Sequence, residues 1–64
     1  MSDITFESVK TEIIKRLHND AKRMERDAIQ LESEGVLHKM HERMSMAASL
    51  RVAANYLDGV QGPG

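Results

Sequence analysis

Apolar side chains return every three or four residues through most of this chain. From Phe6 they recur at Val9, Ile13, Leu17, Ala21, Met24, Ala28 and Leu31. The mean step is about 3.6 residues, the period of an α-helix. Ile14 and Ile29 lie beside this stripe and widen it, which suits a helix touching two neighbours better than one strand of a two-stranded coil. A second stripe runs through Leu37, Met40, Met44, Ala47, Leu50, Ala54 and Leu57. Between the two stands Gly35, the first glycine of the chain, and the only proline is Pro63, so nothing interrupts helix from Phe6 to Glu34.

The boundaries carry their own signals. Thr5 is placed to cap the first exposed amides, Ile4 and Val9 occupy the two positions of a hydrophobic staple, and Glu7 suits the positive end of the helix dipole. Gly35 fits the left-handed position beyond a helix end, with Val36 then reaching Leu31 as in a Schellman turn. Asp58-Gly59 repeats the stop before Gln61-Gly62-Pro63-Gly64. The pattern predicts an all-α fold, an antiparallel helical hairpin with a long helix over about 6–34, a turn at Gly35 and a helix over about 37–57. Residues 1–58 form a single domain and 59–64 a flexible tail. The alternative is a break near His18-Asn19-Asp20, where Asn19 or Asp20 caps a new helix.

Length turns this hairpin into a problem of stability. A chain of 64 residues buries only about 60% of the surface it exposes when unfolded. With no cysteine, disulfides and most structural metal sites are excluded, so a partner chain is the expected supplement. At 1.5 Å per residue the first helix measures about 44 Å and the second about 32 Å, leaving roughly 12 Å of overhang that carries Phe6, Val9 and Ile13. The sequence therefore predicts a homo-oligomeric helix bundle, with Phe6, Val9, Ile13, Leu17, Met24, Leu31, Met40, Met44, Leu50 and Leu57 at the interface between copies. Alanines at 47, 48, 53 and 54 let another helix approach closely, and Met40, Met44 and Met46 read as adaptable core filler.

Charge narrows the functions. Hydrophobic residues make up 41% and charged residues 30%, a folded and soluble composition, and the net charge of −1 predicts no bulk attraction to nucleic acid or membrane. No apolar run approaches a membrane span and no secretory signal pattern opens the chain, which reads as a cytoplasmic protein.

Catalytic chemistry is not indicated. There is no phosphate-cradling glycine loop and no catalytic cysteine, and the five serines fall in caps, turns or helix surface without a histidine placed to activate them. No enzyme activity, cofactor or resident metal is expected. The densest chemical cluster is Glu34, His38, His41 and Glu42. It places two histidines one turn apart, but a structural site needs four ligands and so a second copy, and the simpler reading pairs His38 with Glu42 in solvent. A candidate anion site comprises Lys22, Arg23, Arg26, Lys39, Arg43 and Arg51, since arginine binds phosphate bidentately. Glu12, Asp20, Glu25 and Asp27 are interleaved with it, the pattern of a self-neutralised solvent face. Without an aromatic platform beyond Tyr56, single-strand stacking is not indicated.

A long helix, a tight turn and a second helix with a small-residue seam resemble the plasmid copy-number control proteins of the Rop type. That architectural likeness implies a dimeric four-helix bundle and RNA binding through one basic face. The segment Ser45-Met46-Ala47-Ala48-Ser49-Leu50-Arg51-Val52-Ala53-Ala54-Asn55 is similar to the last helix of the phage hairpin proteins that sequester cyclic-nucleotide immune signals. That resemblance implies an oligomer binding a nucleotide between protomers, with Arg51, Asn55 or Tyr56 facing the ligand. The chain also resembles compact phage inhibitors that dock on a host protein. The expectation is a homo-oligomeric interaction protein of phage-regulator or inhibitor type that binds itself and another protein, with nucleotide or structured RNA as the alternative ligand.

Overall fold

The computed structural model describes residues 5–62. Two α-helices, α1 over Phe6–Ser33 and α2 over Leu37–Asp58, pack side by side as an antiparallel hairpin. Each end of α1 is closed by the chemistry its sequence announces. The Thr5 hydroxyl accepts from the Ser8 amide at 3.1 Å, and the Ser8 hydroxyl accepts from the Thr5 amide at 3.3 Å, which completes a reciprocal capping box. Ile4, the other half of the predicted staple, lies outside the described residues.

At the far end Gly35 takes φ 78°. The Val36 amide donates to the Leu31 carbonyl at 2.9 Å and the Gly35 amide to the Glu32 carbonyl at 3.0 Å, the paired bonds of a Schellman turn. The chain thus reverses in three residues. α2 begins without a side-chain cap, because Val36 has no acceptor to offer, and its first bond is from the Met40 amide to the Val36 carbonyl at 3.1 Å. α1 is continuous through His18, Asn19 and Asp20, so the alternative break does not form.

The seam between the helices is narrower than the sequence stripes imply. Its fully buried side chains are four alanines, Ala21, Ala28, Ala47 and Ala54, each at most 2% exposed, and no large side chain is fully buried among the described residues. The alanines stand seven residues apart in each helix, and seven-residue spacing keeps one side of a helix turned toward a partner along its length. Half-buried Ile14, Leu17, Met24 and Leu31 of α1 and Met40, Leu50 and Leu57 of α2 flank them. The seam continues through Ile14 rather than Ile13, and through Arg43 rather than Met44, since Ile13 and Met44 are exposed. A 3.6-residue stripe drifts around a helix, whereas the seam follows a seven-residue repeat. Of the four alanines expected to admit a helix, Ala47 and Ala54 face α1, while Ala48 and Ala53 remain exposed.

The hairpin is one helix thick, with Cα extents of 50 × 23 × 9 Å. α1 has six residues more than α2, and the described part of the tail returns along this excess. Lys10 Nζ donates to the Val60 carbonyl at 3.1 Å and stands 5.9 Å from the Phe6 ring centre, while Gly62 lies against the Phe6 ring. Residues 60–62 lie along the first turns of α1, where the overhang offers an apolar ring and a cation to a chain with free carbonyls. Phe6, Val9 and Ile13 still expose 39%, 43% and 42% of their surface.

Candidate functional site

The two sides of the seam differ in chemistry. Three residues after Ala21, Ala28, Ala47 and Ala54 stand Met24, Leu31, Leu50 and Leu57; four residues after them stand Glu25, Glu32, Arg51 and Asp58. In an α-helix these two offsets fall on opposite flanks of the reference residue. One side of the hairpin is thus edged by large apolar side chains and the other by charges. Met46 and Ala53, one residue before Ala47 and Ala54, continue the apolar side on α2, and both are exposed; the same offset on α1 places Asp20 and Asp27 at the edge of that side. Near the turn the rule inverts: Arg43 stands on the apolar side, while Met44 with Ile29 and Leu37 forms a smaller exposed apolar group on the other.

The charged side is closed by one bidentate ion pair. Arg51 Nη2 reaches Glu25 Oε1 at 2.7 Å and Arg51 Nε reaches Glu25 Oε2 at 3.3 Å, bridging the helices. This hydrogen bonding holds the Glu25 carboxyl below the usual glutamate range against partial burial, with the charges of Arg51 and Lys22 assisting, and raises Arg51 in return. Arg51, predicted as part of an anion site, has this face of its guanidinium occupied within the chain.

The remaining basic candidates do not converge. Lys22, Arg23 and Arg26 are exposed on α1, and no carboxylate lies within salt-bridge distance of them among the described residues. Lys39 is exposed on α2, and Arg43 is half-buried, lines a depression with Asp27, Gln30 and Leu31, and directs Nη1 to Met46 Sδ at 3.7 Å. Elsewhere acids pair locally: Glu12 of the interleaved set with Arg16 at 3.8 Å, and Glu7 of the first turn with Lys10 at 3.5 Å.

His38 Nε2 lies 3.4 Å from Glu42 Oε1, the local pairing anticipated from the sequence. His38, His41, Glu42, Ser45 and Met46 line a surface depression on α2. Ser45 follows His41 by one turn, a juxtaposition not anticipated in the sequence, yet no hydrogen bond joins them among the described residues. No group of three or more His, Asp or Glu side chains among the described residues is arranged to hold a metal ion, and no described helix is long and apolar enough to cross a membrane.

The charge pattern of the sequence conceals both the seam and the pair across it. Among the acids interleaved along α1, Glu25 differs in that its place four residues after Ala21 mirrors that of Arg51 after Ala47. The seven-residue spacing of Ile14, Ala21 and Ala28, and of Met40, Ala47 and Ala54, was the signal that could have revealed the seam and the pair together.

Comparison with protein-family models, curated proteins and solved structures finds no match for this chain.

Proposed function

We propose that this chain is a non-catalytic, self-associating helical interaction module, a regulator or inhibitor of phage type that acts by laying helix surface on another protein. The observation behind this reading is the burial: four alanines are the only fully buried apolar side chains among the described residues, while Phe6, Val9, Ile13 and Met46 remain exposed. A hairpin with so thin a seam gains little from hydrophobic burial, and exposed apolar groups of this size are used for association. Depressions on its surface are open to solvent, which disfavours chemistry that needs water excluded. Interleaved charge and a net charge of −1 favour a protein partner over a polyanion.

A second reading, binding of a phosphorylated ligand such as structured RNA or a signalling nucleotide, draws on Lys22, Arg23 and Arg26, which stand exposed and unpaired with carboxylates among the described residues. Native mass spectrometry of the chain purified from cells separates the readings. An oligomer at the bare polypeptide mass agrees with the first, added mass of a nucleotide or RNA moves the second ahead, and a monomer overturns the self-associating module. Arg23→Glu with Arg26→Glu abolishes anion binding but leaves the oligomer intact if the second reading holds.

A further inference from the structure

We infer that the apolar side of the hairpin, carrying Leu31 of α1 with Met46, Leu50, Ala53 and Leu57 of α2, is the surface on which a second copy of this chain packs, leaving the Glu25–Arg51 side facing solvent. This inference rests on the self-association proposed for the chain and adds which of its two sides closes the assembly.

Three observations point to it. The first is the regular difference between the two sides: every fully buried alanine is followed at three residues by Met or Leu and at four by a charged residue. Both sides meet the seam equally, so the hairpin contact alone does not explain why the residues bordering the buried alanines are large and apolar on one side and charged on the other; Asp20, Asp27 and Arg43 stand on the apolar side as well, at its edge and near the turn. The second is the ion pair itself. Arg51 and Glu25 satisfy each other at 2.7 Å in a position that remains part-exposed, an arrangement that favours water over a buried interface because desolvating such a pair is costly. The third is area. The chain exposes 5114 Å², whereas a compact monomer of its 7.2 kDa mass exposes about 4,100 Å². The excess, about 1,000 Å², is comparable with the roughly 800 Å² that each partner contributes to a stable protein interface.

Shape agrees with this choice. The hairpin is 9 Å thick in its Cα trace and 23 Å broad. A second hairpin stacked at a normal interhelical distance of about 8–10 Å brings the thickness to roughly 18 Å and gives four helices around one core. In that core Met24, Leu31, Leu50 and Leu57, half-buried in the single hairpin, gain the contacts that their outer surfaces lack. The small apolar group at Ile29, Leu37 and Met44 is confined to the turn end, because on its side the places next to the buried alanines are held by Glu25, Glu32, Arg51 and Asp58 rather than by Met24, Leu31, Leu50 and Leu57.

The chain contains no cysteine, so single cysteines report position by position. Met46→Cys and Ala53→Cys place a thiol on the apolar side and Ala48→Cys places one on the charged side, all at exposed positions that leave the hairpin seam untouched. Each variant is checked for helix content by circular dichroism and for mass by native mass spectrometry, then labelled with a maleimide at micromolar protein and again after strong dilution. At the higher concentration the inference expects labelling at 46 and 53 to be about tenfold or more slower than at 48, with the difference vanishing on dilution. An oligomer in which all three label equally fast, or in which 48 alone is protected, overturns the assigned face while self-association stands. A monomer at the higher concentration overturns both.

Discussion

Arg51 clasps Glu25 across the hairpin with both nitrogens of one edge of its guanidinium, at 2.7 and 3.3 Å. Glu25 lies four residues after Ala21 and three before Ala28, and Arg51 lies four after Ala47 and three before Ala54. The pair therefore sits between the two buried alanines of each helix and reinforces the antiparallel register that the three-residue turn at Gly35 imposes. A change of register would separate the charges and bring larger side chains against the four buried alanines.

The pH dependence of this pair has a definite sign. Glu25 titrates below the usual glutamate range in the folded chain, so its contribution to stability is full above the unfolded-state value and is lost as pH falls through the lowered folded-state value. Glu25→Gln is expected to lower the thermal midpoint at neutral pH, with the gap from the parent chain closing in strong acid. Thermal unfolding followed by circular dichroism over that range tests this, and a gap independent of pH would show that the charge is not involved.

Overfilling the seam should separate the helices. Ala21 and Ala54 are at most 1% exposed, so Ala21→Leu or Ala54→Leu forces side chains off their rotamers or the helices apart, costing about 1–3 kcal/mol. Ala48→Leu, on exposed surface, should fall within about 0.5 kcal/mol of the parent. Denaturant titration at one fixed protein concentration makes the comparison, and equal stability of Ala21→Leu and Ala48→Leu would refute the close seam.

Gly35→Ala isolates backbone strain from packing. A methyl group there meets no atom within 4 Å, yet φ 78° is a conformation that side-chain-bearing residues adopt at a cost. Destabilisation of about 1 kcal/mol is expected, and Gly35→Asn should lose less because asparagine tolerates the left-handed region. Identical stabilities for the alanine and asparagine variants would contradict this account.

The seating of the tail is testable at Gly62. A methyl group added there would come within 2.8 Å of a Phe6 ring carbon, so Gly62→Ala must displace the ring or the tail. Hydrogen exchange read by mass spectrometry should show faster exchange around residues 59–62 in Gly62→Ala, and also in Lys10→Met, which removes the donor to the Val60 carbonyl. Unchanged exchange in both would mean that the contact does not hold the tail.

Much of this fold is legible in local chemistry. The Thr5 cap, the Gly35 turn and the uninterrupted helical period between them are determined by residues within a few positions of one another, and local hydrogen bonding decides them alone. The ends of both helices could be read for the same reason. What the sequence does not carry openly is which part of each apolar stripe meets the other helix. Ile13 and Met44 lie on the helical stripes yet are exposed, while Ile14 and Arg43 beside them are half-buried, because only packing between the helices distinguishes a 3.6-residue stripe from a seven-residue seam. The partner of Arg51 was hidden for a related reason. Glu25 is 26 residues away, and only the register of the packed helices brings the two together. Caps and turns are settled by neighbours in the chain, whereas the buried alanines, the bidentate pair and the seated tail depend on contacts between segments far apart in sequence, which tertiary packing alone decides.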